Sequence, residues 1–170
     1  TTSPLARTKM EDEIKKTQPG IKFKTYFNKE YGFRVSHDVM LLDMDQLHTP
    51  PSPVVFERRG LRGFPVFAVL VDDIPQGMAL ENTGNYLIDL HKINPQITNP
   101  IIKKQELIKL SDGTDANYVE INWRFQSLGM LTVGVFAYKN NKIIGAVAGS
   151  TEETPIEYLA GMAKSLRFKK

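Results

Sequence analysis

Between Tyr118 and Gln126 apolar and polar side chains alternate without a break. Val119, Ile121, Trp123 and Phe125 fall on one side, and Tyr118, Glu120, Asn122, Arg124 and Gln126 on the other. A period of two is the signature of a β-strand with one face on a core. Ser127-Leu128-Gly129 interrupts the pattern, and a second run continues from Met130 to Tyr138 before Asn140-Asn141. Asparagine tolerates positive φ, so this pair predicts a two-residue hairpin turn. Such a turn fixes a register: Ala137 opposite Ile144, Val135 opposite Ala146, Val133 opposite Ala148. On the reverse side it sets Tyr138 against Ile143, Phe136 against Gly145 and Gly134 against Val147. One face is wholly apolar and the other mostly so, and a sheet apolar on both sides is covered on both sides.

The C-terminal segment offers one cover. Thr154-Pro155-Ile156-Glu157 reads as N-cap, proline at the first helical position and a glutamate placed for a capping box. Ile156, Leu159, Ala160, Ala163 and Leu166 then recur at helical spacing. Earlier in the chain, Ile21, Phe23, Thr25 and Phe27 alternate with Lys22, Lys24 and Tyr26, and the alternation returns in Tyr31, Phe33 and Val35. This predicts two short strands joined by a tight turn, with Phe27 on the same side as Ile21 and Phe23. Val39 to Leu42 is apolar, and Pro50, Pro51 and Pro53 exclude a central strand or a helix where they stand.

Val54 to Glu57 begins a strand, Arg58 to Gly63 turns, and Phe64 to Val71 is a second apolar strand ended by Asp72-Asp73. Leu80 to Ile93 fits a helix stopped by Asn94-Pro95. Pro100 to Leu110 is a strand with a polar middle, as an edge position demands. Strands in runs with helices set between them indicate an α+β domain. Residues 21–170 are expected to form it, behind a polar N-terminal linker over residues 1–20.

Composition narrows the classes without choosing one. At 170 residues, 41% hydrophobic and 24% charged, the chain suits one globular domain. The formal charge of +3 is spread over separate groups (Arg58, Arg59 and Arg62; Lys103 and Lys104; Lys169 and Lys170), which reads as solvated faces rather than a nucleic-acid footprint. Basic and aromatic residues do interleave at Phe23, Lys24, Tyr26, Phe27 and Lys29, but no glycine-rich ribonucleoprotein motif accompanies them. There is no cysteine, so thiolate chemistry and disulfides are excluded. No apolar run approaches the ~20 residues of a membrane helix. The chain starts at Thr1 with a polar segment, which fits either a linker after a removed leader or an arbitrary boundary; the exported reading is preferred.

Four stretches resemble the PsbP-like family, which includes the extrinsic photosystem II protein, its bacterial relatives and Ran-binding import factors that share the fold. They are Tyr31-Gly32-Phe33-Arg34-Val35, the helix around Asn85 to His91, Asp112-Gly113-Thr114-Asp115-Ala116, and the ending from Tyr158 to Phe168 with its Ser-x-x-Phe tail. The resemblance covers about residues 21 to 168. It departs where the family places a proline and a tryptophan after the first Gly-Phe strand, for here Ser36-His37-Asp38 runs into Val39-Met40. The resemblance implies an α/β/α sandwich around a central, mostly antiparallel sheet. It also implies a protein, often exported in bacteria, that acts by binding or assembly rather than by turnover. A cell-envelope protein partner, an upstream lipid anchor and no cofactor are the matching expectations.

For chemistry, His37, Asp38, Asp43, Asp45 and His48 form the one cluster with metal-binding residue types, suited to zinc or manganese. Its spacing matches no recognised ligand motif. His37, Asp43, Asp45 and His48 are the metal candidates, and a metal-assisted hydrolase using this segment is the alternative function. Glu120, Asn122 and Arg124 share a strand face and are candidates for a ligand or partner surface, with a cross-strand ion pair as the plain reading. Asp72-Asp73 reads as a strand end, Trp123 as core and His91 as a surface histidine. No nucleophile elbow and no phosphate-binding glycine loop is present, so no catalytic residue is assigned.

Overall fold

The computed structural model describes residues 21–58 and 64–168. The expected linker over residues 1–20, the turn after Arg58 with Arg59 and Arg62, and Lys169-Lys170 lie outside the described residues. The elements run β1 (Phe23–Asn28), β2 (Phe33–Asp38), β3 (Leu41–Asp43), β4 (Val54–Arg58), β5 (Val66–Asp73), α1 (Gly84–Lys92) and β6 (Ile97–Lys109). Then follow β7 (Asp115–Phe125), β8 (Leu128–Lys139), β9 (Lys142–Thr151) and α2 (Ile156–Lys164).

Seven strands make one sheet in the order β3-β4-β5-β9-β8-β7-β6, with every neighbouring pair antiparallel. The register of β8 against β9 is the one the Asn140-Asn141 turn dictates: Ala137 meets Ile144, Val133 meets Ala148 and Phe136 meets Gly145. Both turn residues adopt the left-handed backbone, at φ 51° and 63°. That combination matches the right-handed twist of the strands it joins.

Each face of the sheet has its own core. Val133, Val135, Ala137, Ile144, Ala146 and Ala148 pack with Phe67, Val69, the α2 residues Leu159, Met162 and Ala163, and Leu166 just beyond the helix. The β1–β2 hairpin closes the same face through Phe33 and Val35. On the reverse, Val119, Ile121, Trp123, Met130, Phe136 and Ile143 are covered by α1 through Tyr86 and Leu87. This is an α/β/α sandwich around an antiparallel sheet, and the fold class is α+β.

In β1, Tyr26 packs toward the core and pairs with the buried Val35, while Phe27 is exposed under the Arg34 guanidinium. Two local expectations need correction. Thr154 does not cap α2. Its hydroxyl is hydrogen-bonded to that of Ser150 at 2.7 Å, and the helix begins after Pro155 with no side-chain cap. The stretch from Leu80 divides into a 3-10 turn (Leu80–Asn82) and α1. The helix start is set from outside: Gly84 N–H donates to Gln105 Oε1 of β6 at 3.0 Å, and a β-carbon at position 84 would collide with that amide.

Three of the four stretches that carry the family resemblance meet in space, while the helix packs on the other face of the sheet. Arg34 and Arg167 exchange backbone hydrogen bonds of 2.8 and 3.0 Å, joining β2 to the tail. Ser36 N–H donates to Ser165 Oγ at 2.7 Å. Asp112 accepts from Thr114 N–H at 2.9 Å and from Phe168 N–H at 2.7 Å, and Gly113 takes the left-handed backbone (φ 87°) that its turn requires. These residues clasp the tail to the hairpin and to the start of β7. Their work is structural.

Candidate functional site

The residues singled out for metal chemistry do not assemble as one set. Asp43, Asp45 and His48 come together, with one ligand atom from each lying within 4.8 Å of the others. His48 Nε2 donates to Asp43 Oδ1 at 2.6 Å and lies 4.0 Å from Asp45. This proximity follows from the 3-10 turn over Asp45–Leu47, which folds the chain back on the end of β3. His37 stands apart. It is buried, its ring stacks on Phe56 at 4.0 Å, and its Nδ1–H donates to the Asp38 carbonyl at 2.9 Å. Burial pushes its pKa below the ordinary histidine value, with Lys24 adding in the same direction and Asp38 and Asp43 opposing.

Glu120, Asn122 and Arg124 keep their shared face of β7 but form no ion pair with one another. Glu120 is buried and accepts a 2.7 Å hydrogen bond from the Tyr118 hydroxyl. Arg124 turns to the Ser127 carbonyl. Asn122 is exposed opposite Ile101 of β6. Asp72 and Asp73 end β5 as expected; Asp72 also accepts from Tyr86 at 3.0 Å and so pins α1.

Trp123 is core, as its side of β7 predicts, and His91 is half-buried with both ring nitrogens hydrogen-bonded. Its Nδ1–H donates to the Leu87 carbonyl at 2.8 Å, and Nε2 accepts from the Thr132 hydroxyl at 3.0 Å. The Thr132 oxygen in turn accepts from the Trp123 indole N–H at 2.7 Å. This arrangement needs a neutral imidazole, and burial lowers its pKa accordingly.

The surface best shaped for a ligand lies elsewhere, at one end of the sandwich. Antiparallel pairing brings the end of β4, the start of β5, the end of β9, the start of β8 and the end of β7 to the same end of the sheet. The start of α2 and the β2–β3 turn complete it. Two open cavities of about 550 and 750 Å³ share Arg58, Pro65 and Thr154 as a common wall. Lys22, Val39, Met40 and Tyr158 line the first; Phe64, Phe125 and Leu128 line the second. Asp38 also lines the first, but both its oxygens are engaged, by Met40 N–H at 3.0 Å and by the Tyr158 hydroxyl at 2.7 Å. Burial and the Asp38 bond raise the Tyr158 pKa, against the opposing charge of Arg58.

Sequence reasoning placed Arg58 in a solvated basic group and Thr154 at a helix cap. The signal that could have found this end was the apolar pair Val39-Met40, which follows a hairpin strand and stays exposed. Only the strand order shows that Leu128, at the start of β8 and distant in sequence, belongs to the same surface.

Neither a protein-family model nor a curated protein matches the sequence. Solved structures match the fold. The solution structure of cyanobacterial PsbP (CyanoP) from Synechocystis sp. PCC 6803 superposes with a TM-score of 0.67 at 16% identity, over 89% of this chain and 96% of that one. The Saccharomyces cerevisiae Ran-binding protein Mog1p superposes with a TM-score of 0.63 at 10% identity, over 88% and 96%. A protein of Bacteroides thetaiotaomicron gives 0.54 at 11% identity, over 86% of this chain but 48% of that chain. The chain therefore has the PsbP-like fold, as its motifs imply.

Proposed function

We propose that this domain is a non-enzymatic binding or assembly module that receives a protein partner at the end of the sandwich bounded by Arg58, Pro65 and Thr154. The observation that carries the reading is the open, two-chambered groove there, walled by apolar side chains and a cation. The likeness to a Ran-binding protein over 88% of the chain supports it, because that structure puts the same scaffold in the service of a protein partner. The named motifs are accounted for by contacts that hold the fold together. We further propose an exported protein with its partner in the cell envelope, in keeping with the family resemblance. The competing hydrolase would rest on Asp43, Asp45 and His48; stoichiometric zinc or manganese that is lost in His48→Ala would favour it.

Photo-crosslinking in extract of the native host tests the binding reading. A benzophenone amino acid at Thr154, in the groove, is compared with one at Asn140, at the opposite end of β8. The expected result is a discrete adduct from position 154 that unlabelled protein competes away, and none from position 140. Equal labelling at both positions, or none at either, overturns it.

A further inference from the structure

The partner-binding reading leaves open what chemistry the groove selects, and the distribution of charge and apolar surface along it bears on that. Arg58, the last residue of β4, is exposed and contributes to both cavities. Among the described residues neither its guanidinium nor the Lys22 ammonium has a hydrogen-bonding or ion-pairing partner. The one carboxylate lining either cavity, Asp38, is already satisfied by Met40 N–H and the Tyr158 hydroxyl. Two cations against one engaged carboxylate leave the groove positive. Glu152 does not line either cavity; its carboxylate lies over Gly129, next to Leu128 of the second. A planar guanidinium in this state is suited to a bidentate carboxylate or phosphate.

Apolar surface flanks that cation on both sides. Val39 and Met40 stand exposed in the first chamber, Met40 at 59%, and Leu128 stands exposed at 48% in the second beside Phe64 and Phe125, with Pro65 on the shared wall. Exposed apolar side chains gathered on one concave surface mark an interaction site. The order across the shared Arg58 wall is thus apolar, cationic, apolar, with Lys22 as a second cation within the first chamber. A fatty acid carries its charge at one end of a single chain and can satisfy only half of that order. An extended peptide carries apolar side chains on either side of a central acidic one.

We propose that the groove binds an extended peptide segment with one aspartate or glutamate placed between apolar residues, its carboxylate on Arg58. The inference rests on the groove being the partner-binding surface, and its test is separate from the crosslinking above. Random nonapeptides displayed on phage are selected against the immobilised protein and against Arg58→Gln. Sequences enriched on the parent are expected to carry a single acidic residue with apolar neighbours on both sides. Changing that residue to its amide should weaken binding about tenfold, as Arg58→Gln does, and the two losses should not add, because one ion pair is removed in either case. Enrichment without an acidic residue, the same sequences enriched on Arg58→Gln, or no enrichment over blank beads overturns the peptide assignment. So does displacement of bound peptide by dodecanoate at lower concentration than by free peptide, which makes the groove an acyl site. A position-154 crosslink that persists when selection fails leaves the groove as partner surface and removes only this ligand class.

Discussion

Asp112 does two jobs with one carboxylate: it holds the turn before β7 through Thr114 N–H and receives the tail through Phe168 N–H. Hydrogen bonds to a charged group contribute about 1.5–3 kcal/mol. Asp112→Ala should therefore lower the unfolding free energy by at least that amount, read as a shift in urea midpoint at constant slope. The histidines give a pH signature. His37 and His91 are both held below the ordinary value of 6.5, chiefly by burial. The folded state then binds fewer protons than the unfolded chain, so stability from the neutral rings is complete above that value and falls as the pH drops below it. Urea midpoints at about pH 7.5 and about pH 5 should show the decline, and His91→Gln should reduce it. A larger decline in that variant would contradict the hydrogen-bond directions assigned to Thr132.

At the scale of elements, the central hairpin explains its own glycine. Gly145 lies directly across from Phe136, whose ring rests over it and meets Tyr86 of α1 edge-on, with centroids 6.0 Å apart. A methyl group at position 145 would collide with that ring. Gly145→Ala should cost about 1–3 kcal/mol, the range for overpacking a filled core, measured by chemical denaturation. On the other face α2 holds by packing, since its first turn lacks a side-chain cap. Leu159 is fully buried there. Leu159→Ala should cost about 2–5 kcal/mol. A loss below 1 kcal/mol would mean that the β1–β2 hairpin alone shields the sheet.

For the whole molecule, the family motifs and the groove are separate devices. The motifs clasp the tail to β2 and β7, and the groove lies where the strand ends, the β2–β3 turn and the start of α2 converge. Arg58 is exposed and its guanidinium makes no hydrogen bond among the described residues, so Arg58→Gln should leave stability within about 0.5 kcal/mol of the parent. Thermal unfolding checks this, and a larger loss would show that Arg58 supports the fold rather than a ligand.

Alternation with a period of two fixed the strands and faces of β7 to β9, and two adjacent asparagines fixed their register, because both signals act between residues close in the chain. The same local logic placed β6 at an edge and made α2 amphipathic. It failed wherever a distant element supplied the deciding partner. Gln105 set the start of α1, Thr132 and Trp123 engaged the His91 ring, and Phe56 stacked on His37. Apart from the apolar pair Val39-Met40, the groove left no mark in the sequence. Its walls come from five strand ends and a helix start, and only the order of strands in the sheet brings those segments to one end of the protein.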